Sequence, residues 1–341
     1  MAYDRGWAAC RLQPTDRIPR TERGLENNLE LLGHLTDTPL GSFGSEADVE
    51  RAFEALVADW DLDLVFLPSL GWDLHGQLGV TLRAEDFAPT RATLSWFQPD
   101  QVLARGDPEE WQLRLDNQWE SMRRRFPSAV GIPHLKVGPL QGLATVFGWD
   151  VLLSACHDDP ETLGAAVQRF ADWCRPLFEA AARSSAPVLL VEDTLAWPTG
   201  PLFRTSWYRE HLFPALTSLI AILRDAGKRV IFHSEGNYEA FLPNLADAGV
   251  HGFVIGSSMD LSEALAEFGG SCMLIGNADD RTLFNGSEAE IRLTIQRCIR
   301  SGFGHNGYVF SFGHELATNT PVASLEFAQM QFETLTGRAA A

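Results

Sequence analysis

Basic residues are scarce in this chain: 27 Lys+Arg stand against 45 Asp+Glu over 341 residues, a formal net charge of −18. Nucleic-acid backbones and anionic membrane surfaces bind through clustered positive charge, so this balance disfavours both as partners. The longest cationic run, Arg123-Arg124-Arg125, follows Trp111, Leu115, Trp119 and Met122 at helical spacing. It reads as the basic last turn of a helix, where cations complement the dipole. Cysteine is sparse as well. Cys10, Cys156, Cys174, Cys272 and Cys298 form an odd, scattered set without C-x-x-C, which speaks against a disulfide framework or a zinc ribbon and for the reducing cytoplasm. No apolar run approaches membrane-spanning length, and MAYDRGWAACRLQPTDR carries charges where a signal peptide needs an apolar core. Also missing are a G-x-G-x-x-G after a strand, a Walker A loop and a G-x-S-x-G, so dinucleotide, nucleotide and serine-hydrolase chemistry have no support.

What is present, from about residue 45 onward, is an alternation of helical and strand-like segments with short punctuation. Ser45 with Asp48 predicts a capped helix carrying Val49, Phe53, Leu56 and Val57 on one face. The run 61–68 reads as a buried strand, Asp107-Pro108 opens a helix to about Arg125, and 130–139 is a short strand candidate. A helix over 157–184, a strand over 188–193 and a helix from Thr205 to a Gly227 C-cap follow. The C-terminal part repeats the pattern with strands 229–235, 252–257, 272–277 and 308–314 separated by helices 237–248, 260–268 and 287–301, and Thr320-Pro321 starts a final helix. Strands spaced by ten to twenty helical residues imply βαβ crossovers and a parallel sheet, and their near-continuous apolar character fits strands covered on both faces. Seven strand candidates are one short of the eight of a TIM-like (β/α)8 barrel, which is the expected fold class. The expected layout is a single domain, with 1–44 an irregular N-terminal extension or cap and 45–335 the barrel; 69–105 is equally irregular.

Several strands end in polar residues, and in a TIM barrel the C-terminal strand ends share one mouth, where active sites sit. The most pointed case is RVIFHSEGN (229–237). Side chains at i and i+2 of a strand project together, so His233 and Glu235 face the same space. They read either as metal ligands, which need a third donor and an open position, or as a hydrogen-bonded pair supporting the rim. Glu192 and Asp193 end a strongly apolar strand; alternation turns one inward, to orient a histidine or to act as general acid or base, and leaves the other as a solvated or capping carboxylate. Asp279 is the favoured member of the Asp279-Asp280 pair. Asn237 caps the next helix or reaches a ligand, and with Asn277 it is the candidate for contacting a cofactor. His34, His157 and His211 have no partner at metal spacing and default to structural roles, while His75 is a weaker candidate for lining a pocket. A non-haem iron facial triad would need His-x-Glu…His on an all-β scaffold, which this pattern is not.

The blocks PTDRIP (14–19), VEDTLAWPTGPLFRTSWYREHLFPAL (191–216), HSEGNYEAFLPNLADAG (233–249), LIGNADDRTLFNGSEAEI (274–291) and GYVFSFGHELATNTPVASLEFA (307–328) resemble, in order and spacing, the uroporphyrinogen decarboxylase superfamily. That superfamily holds both the decarboxylase and corrinoid-dependent methyltransferases on the same barrel. The resemblance covers most of 130–330. The decarboxylase's R-Q-A-G-R-Y-type arginine motif is absent, and the first strand ends Pro68-Ser69-Leu70-Gly71 where the decarboxylase has an aspartate. In the methyltransferase branch the matching strand end is H-x-C-G, and with a second cysteine before the T-P of the last block it binds zinc. Carried onto this sequence, the resemblance implies His233, Glu235 in place of the first cysteine, and His314 for the third position.

Imidazole and carboxylate are acceptable zinc ligands, and the loss of both thiolates points from a thiol acceptor to an oxygen or nitrogen substrate. The resemblance thus implies a methyltransferase acting on an O- or N-methylated small molecule. A D-x-H-x-x-G cobalamin signature is lacking, so the corrinoid is expected on a separate partner protein; a homodimer is compatible. The alternatives are a cofactor-independent lyase of the decarboxylase type, and a ligand-binding barrel without catalysis.

Overall fold

The computed structural model describes residues 2–36, 40, 45–66, 70–71, 81–82, 87–104, 106–313 and 315–337. They fall into two compact units, Met1–Phe66 with Ser121–Gly131 and Gly252–Ala341, and Leu67–Glu120 with Ile132–His251. No helix among the described residues is long and apolar enough to cross a membrane.

The second unit is built on four parallel strands in the order Leu70–Gly71, His134–Lys136, Val188–Glu192, Arg229–His233. Val188–Glu192 is buried at all five positions, as its apolar run requires when both faces are covered. The helix Pro160–Arg183 has Asp159 as its N-cap and proline at its first position, and it buries Leu163, Val167, Phe170, Cys174 and Phe178 at helical spacing. It packs on the helix Phe213–Asp225.

Three expectations shift here. The strand candidate 130–139 splits at Pro133, which has no N–H to give, into Val130–Ile132 and His134–Lys136. The helix expected over 157–184 starts at Pro160, and the helices Pro139–Phe147 and Trp149–Asp158 precede it, so His157 ends one helix instead of opening the next. The helix expected from Thr205 is interrupted by a π-helical stretch, Tyr208–Leu212. Pro214 cannot donate to the Glu210 carbonyl, which loosens the ladder at that turn.

In the first unit Gly252–Val254, Met273–Ile275 and Tyr308–Val309 run parallel as neighbours. Residues 19–21 continue the hydrogen bonding: the Phe310 and Thr21 N–H groups exchange bonds with the Pro19 and Phe310 carbonyls at 2.8 and 3.0 Å. On the other side, the Asp63 N–H donates to the Arg20 carbonyl at 2.9 Å, next to the strand Leu64–Phe66. The N-terminal stretch thus lies edge-on between Phe310 and Leu64, supplying partners for the Phe310 backbone groups that follow the strand Tyr308–Val309. Charge fixes it there. Buried Arg5 bonds Asp63 and Asp16, each at 2.6 Å, and Arg17 bonds Asp61 at 2.9 Å. The Arg20 guanidinium is fully buried between Trp60 and Phe332, at 5.2 and 5.1 Å from the ring centres, beside Glu22. The capping box expected at Ser45 with Asp48 is present, and a second, Ser287 with Glu290, opens the helix Glu288–Gly302.

The hydrogen bond from Arg5 holds the Asp16 carboxyl down at about 2. A carboxyl depressed below its unfolded value contributes stability that is present above that value and is lost as pH falls through the folded one. Asp16→Asn should therefore cost under about 1 kcal/mol at neutral pH, because the carboxylate is mostly exposed, and should flatten the acid limb between about pH 4 and pH 2. Urea unfolding of both proteins across that range checks it, and parallel acid limbs would refute the role of the pair.

Candidate active site

At the C-terminal ends of three neighbouring strands of the second unit, four polar side chains meet. In the register, His233 lies opposite Glu192, and His134 and Leu135 lie opposite Leu190 and Val191, so Lys136 comes level with Glu192. Paired and alternate residues share a face, and Glu192 is therefore met from both sides. The His233 Nδ1 is 2.9 Å and the His134 Nε2 3.0 Å from Glu192 Oε2, and the Lys136 ammonium is 2.9 Å from Oε1. Glu192 and His233 are buried, whereas the Lys136 side chain is 45% exposed and opens the cluster to solvent.

Burial by itself would raise the Glu192 carboxyl, but the close approach of His134 and the hydrogen bond and charge of His233 outweigh it and hold the group well below the usual carboxylate range. A carboxylate held ionised in this way is a poor proton donor. Its geometry is that of an orienting group: with Nδ1 of His233 tied to Glu192, Nε2 is turned toward Glu235, 3.9 Å from its Oε1. That is a separation two donors can span when each binds about 2.0–2.2 Å from one ion, and a carboxylate on the remote ring nitrogen is the usual partner of a ligating histidine. His233 and Glu235 thus fit as a pair of cation donors. Among the described residues no group of three His, Cys, Asp or Glu side chains is placed to hold a metal, and His314, like His75, lies outside the described residues.

The remaining candidates are engaged elsewhere. Asp193 is completely buried and accepts hydrogen bonds from the backbone N–H groups of Leu140, Gln141 and Thr194 at 3.2, 2.7 and 2.9 Å. Its carboxylate closes the N-terminus of the helix Pro139–Phe147. Asn237 accepts from the Glu239 N–H at 3.2 Å, one residue ahead of Tyr238, the N-cap of the turn Glu239–Phe241, and its own N–H donates to the Trp197 carbonyl at 2.9 Å. Asn277 and Asp279 belong to the first unit. Buried Asn277 donates to the Gly256 and Met259 carbonyls at 3.2 and 2.8 Å and accepts from Arg297 at 3.2 Å, while Asp279 pairs with Arg281 at 2.7 Å.

His134 and Lys136 escaped the sequence reading, although the signal was there. H-L-K repeats the i, i+2 spacing that singled out His233 and Glu235, but within a segment whose strand boundaries depended on Pro133.

The short antiparallel ribbon Ala196–Trp197 with Gly200–Pro201 is bolted to the same strand end. The Leu195 N–H donates to the Ser234 hydroxyl at 2.9 Å, and the Tyr208 hydroxyl donates to the Leu195 carbonyl at 2.6 Å. Gly236, at φ +77°, lies so close to the Ala196 and Trp197 backbone that a Cβ would sit 2.5–2.6 Å from their atoms. Only glycine meets both demands.

Parallel strands with helices between them and a polar cluster at their C-terminal ends place this chain in the TIM-like α/β class. The sequence pattern of the uroporphyrinogen decarboxylase (URO-D) family matches residues 120–330. The chain belongs to this family. It is 28% identical over 173 residues to the uroporphyrinogen decarboxylase of Pelobacter propionicus (50% of this chain, 48% of that protein). It is 27% identical over 179 residues to that of Hahella chejuensis (51% and 48%). The chain thus spans about half the length of the curated relatives it matches. A solved methyltransferase from Methanosarcina mazei shares the fold over 98% of both chains, with a TM-score of 0.69 and 16% identity.

Gly138 is the point where this site is least tolerant. A Cβ there would come within 2.1 Å of the Asp193 carboxylate carbon. Gly138→Ala is expected to destabilise the protein by at least about 2 kcal/mol through overpacking. Asp193→Ala should cost a similar amount, about 2–3 kcal/mol, by leaving buried N–H groups unmet. Urea unfolding measures both, and losses below about 0.5 kcal/mol, typical of neutral surface changes, would show that the cap is dispensable.

Proposed function

We propose that this chain is a methyltransferase that takes a methyl group from an O- or N-methylated small molecule and delivers it to a corrinoid carried by a partner protein. His233 and Glu235 would hold a zinc ion, with His314 the third donor the sequence offers. The observation that carries this reading is the bond from Glu192 to the far nitrogen of His233, which fixes the ring plane and makes the remaining nitrogen a better donor. Zinc in such a site supplies Lewis acidity toward an ether oxygen or amine nitrogen. The chain's own residues do the rest. Glu192 stays ionised and keeps the imidazole oriented, and Lys136 with His134 balances its charge. The ribbon fixed to Ser234 and Gly236 holds the loop bearing Glu235. The scattered cysteines favour the reducing cytoplasm as the setting for this chemistry.

A second reading, a decarboxylase-type lyase, is favoured by one feature: the half-exposed ammonium of Lys136 beside His134 is a ready carboxylate grip. Zinc content separates the two. Elemental analysis after zinc loading and dialysis should find about one zinc per wild-type chain and under about a tenth of that in His233→Ala and Glu235→Ala, with Glu192→Gln weakening affinity about 10–100-fold. Equal zinc in all four proteins would remove the metal mechanism, and zinc-free turnover of a carboxylated substrate would install the lyase.

A further inference from the structure

A cavity of about 380 Å³ opens in the Leu67–Glu120/Ile132–His251 unit among the helix Trp149–Asp158, the first turn of Pro160–Arg183 and the segment 202–211. None of the four residues of the strand-end cluster lines it. Its size is within the range of small-molecule sites, about 300–1,000 Å³.

Its walls divide into three kinds. Leu153, Leu202, Phe203 and Trp207 are apolar, and Trp207 is locked in place by its indole N–H, which donates to the Pro160 carbonyl at 3.0 Å. A second group is acidic. The Nε2 of His211 lies 3.9 Å from both Glu161 Oε1 and Glu210 Oε2, and the ring is seated on Trp207 and against Gly164, where a Cβ would come within 2.2 Å of it. Two carboxylates converge on one imidazole, so even a protonated ring leaves one negative charge unbalanced. Glu210 and His211 both lie in the π-helical stretch Tyr208–Leu212 and both line this wall. The third group is Arg204, exposed, with no carboxylate partner among the described residues although the chain is strongly acidic. The half-buried Cys156 thiol beside it is pushed up to about 11 by burial, with Arg204 opposing, and stays a neutral, unreactive wall.

We propose that this cavity binds a small zwitterion of the α-amino-acid type. The ammonium is met by Glu161 and Glu210, the carboxylate by Arg204, whose planar fork suits it, and the apolar side chain by Leu153, Phe203 and Trp207. A simple anion would face Glu161 and Glu210, of whose two charges His211 can balance at most one, and a simple cation would face Arg204; a ligand carrying both charges satisfies both ends. The site stands apart from the proposed methyl-transfer chemistry and does not depend on it.

The test is calorimetric titration of the full chain with L-leucine, L-methionine and L-phenylalanine, together with phenethylamine and 3-phenylpropionate, which each lack one charge. At least one amino acid should bind with a Kd in the micromolar to millimolar range, and for L-phenylalanine each truncated analogue should be weaker by at least about tenfold. Arg204→Gln and the double variant Glu161→Gln/Glu210→Gln should each lower amino-acid affinity by about tenfold or more. All three side chains are exposed, so the unliganded variants should melt within about 2 °C of wild type. Absence of binding by all three amino acids, or binding that survives both variants, overturns the proposal. Loss in Arg204→Gln alone overturns it in favour of a plain anion site, and zinc retention at His233 is unaffected by any of these outcomes.

Discussion

A single buried carboxylate organises the strand ends of this protein's second unit. Glu192 accepts from His233 on one neighbouring strand and is approached by His134 and Lys136 on the other. An ionised group so buried is tolerable only when paired and hydrogen-bonded, so the three donors and the carboxylate are interdependent. Removing one donor leaves an uncompensated charge, and removing the carboxylate leaves two imidazoles and an ammonium facing one another. The cluster is therefore both a constraint on the register of three parallel strands and the feature that sets the direction in which His233 presents its second nitrogen.

The loops beyond the strand ends are held by backbone contacts more than by side-chain packing. Ser234 accepts from Leu195, Asn237 donates to Trp197, and Gly236 lets the two backbones approach closely enough for both bonds. On the opposite side of Glu192, Asp193 fastens the helix Pro139–Phe147 through its N-terminal N–H groups. Two adjacent acidic residues thus do different work because strand alternation sends them to opposite faces: Glu192 meets charged side chains, Asp193 meets a helix end. Loops fixed at this many points suit a site whose donors must keep their positions relative to one another.

Much of this was legible from residue patterns. The apolar strand from Val188, the body of the helix that ends at Arg183, and the capping box at Ser45 follow from hydrophobic period and local cap chemistry, which neighbours in sequence decide. The i, i+2 rule placed His233 and Glu235 on one face, and the family blocks lie mainly within the residues that match the URO-D pattern. The strand break at Pro133 and the π stretch at Tyr208–Leu212 also have sequence causes, but each depends on which hydrogen bond a proline fails to make, and that partner is known only once the element is formed.

The amino-acid sequence by itself determined the α/β alternation and the acidic balance, which rest on period and composition along the chain, and the family, which rests on the order and wording of its sequence blocks. Only the tertiary structure decided that Glu192 would be shared by His134, Lys136 and His233 across three strands, that Asp193 would be consumed by a helix terminus, and that Glu161, Glu210 and Arg204 would line one cavity. Those outcomes turn on strand register and on which side chains a fold brings within about 3–4 Å of one another, distances over which hydrogen bonds and ion pairs act, between residues as far apart as 134 and 233 in the chain.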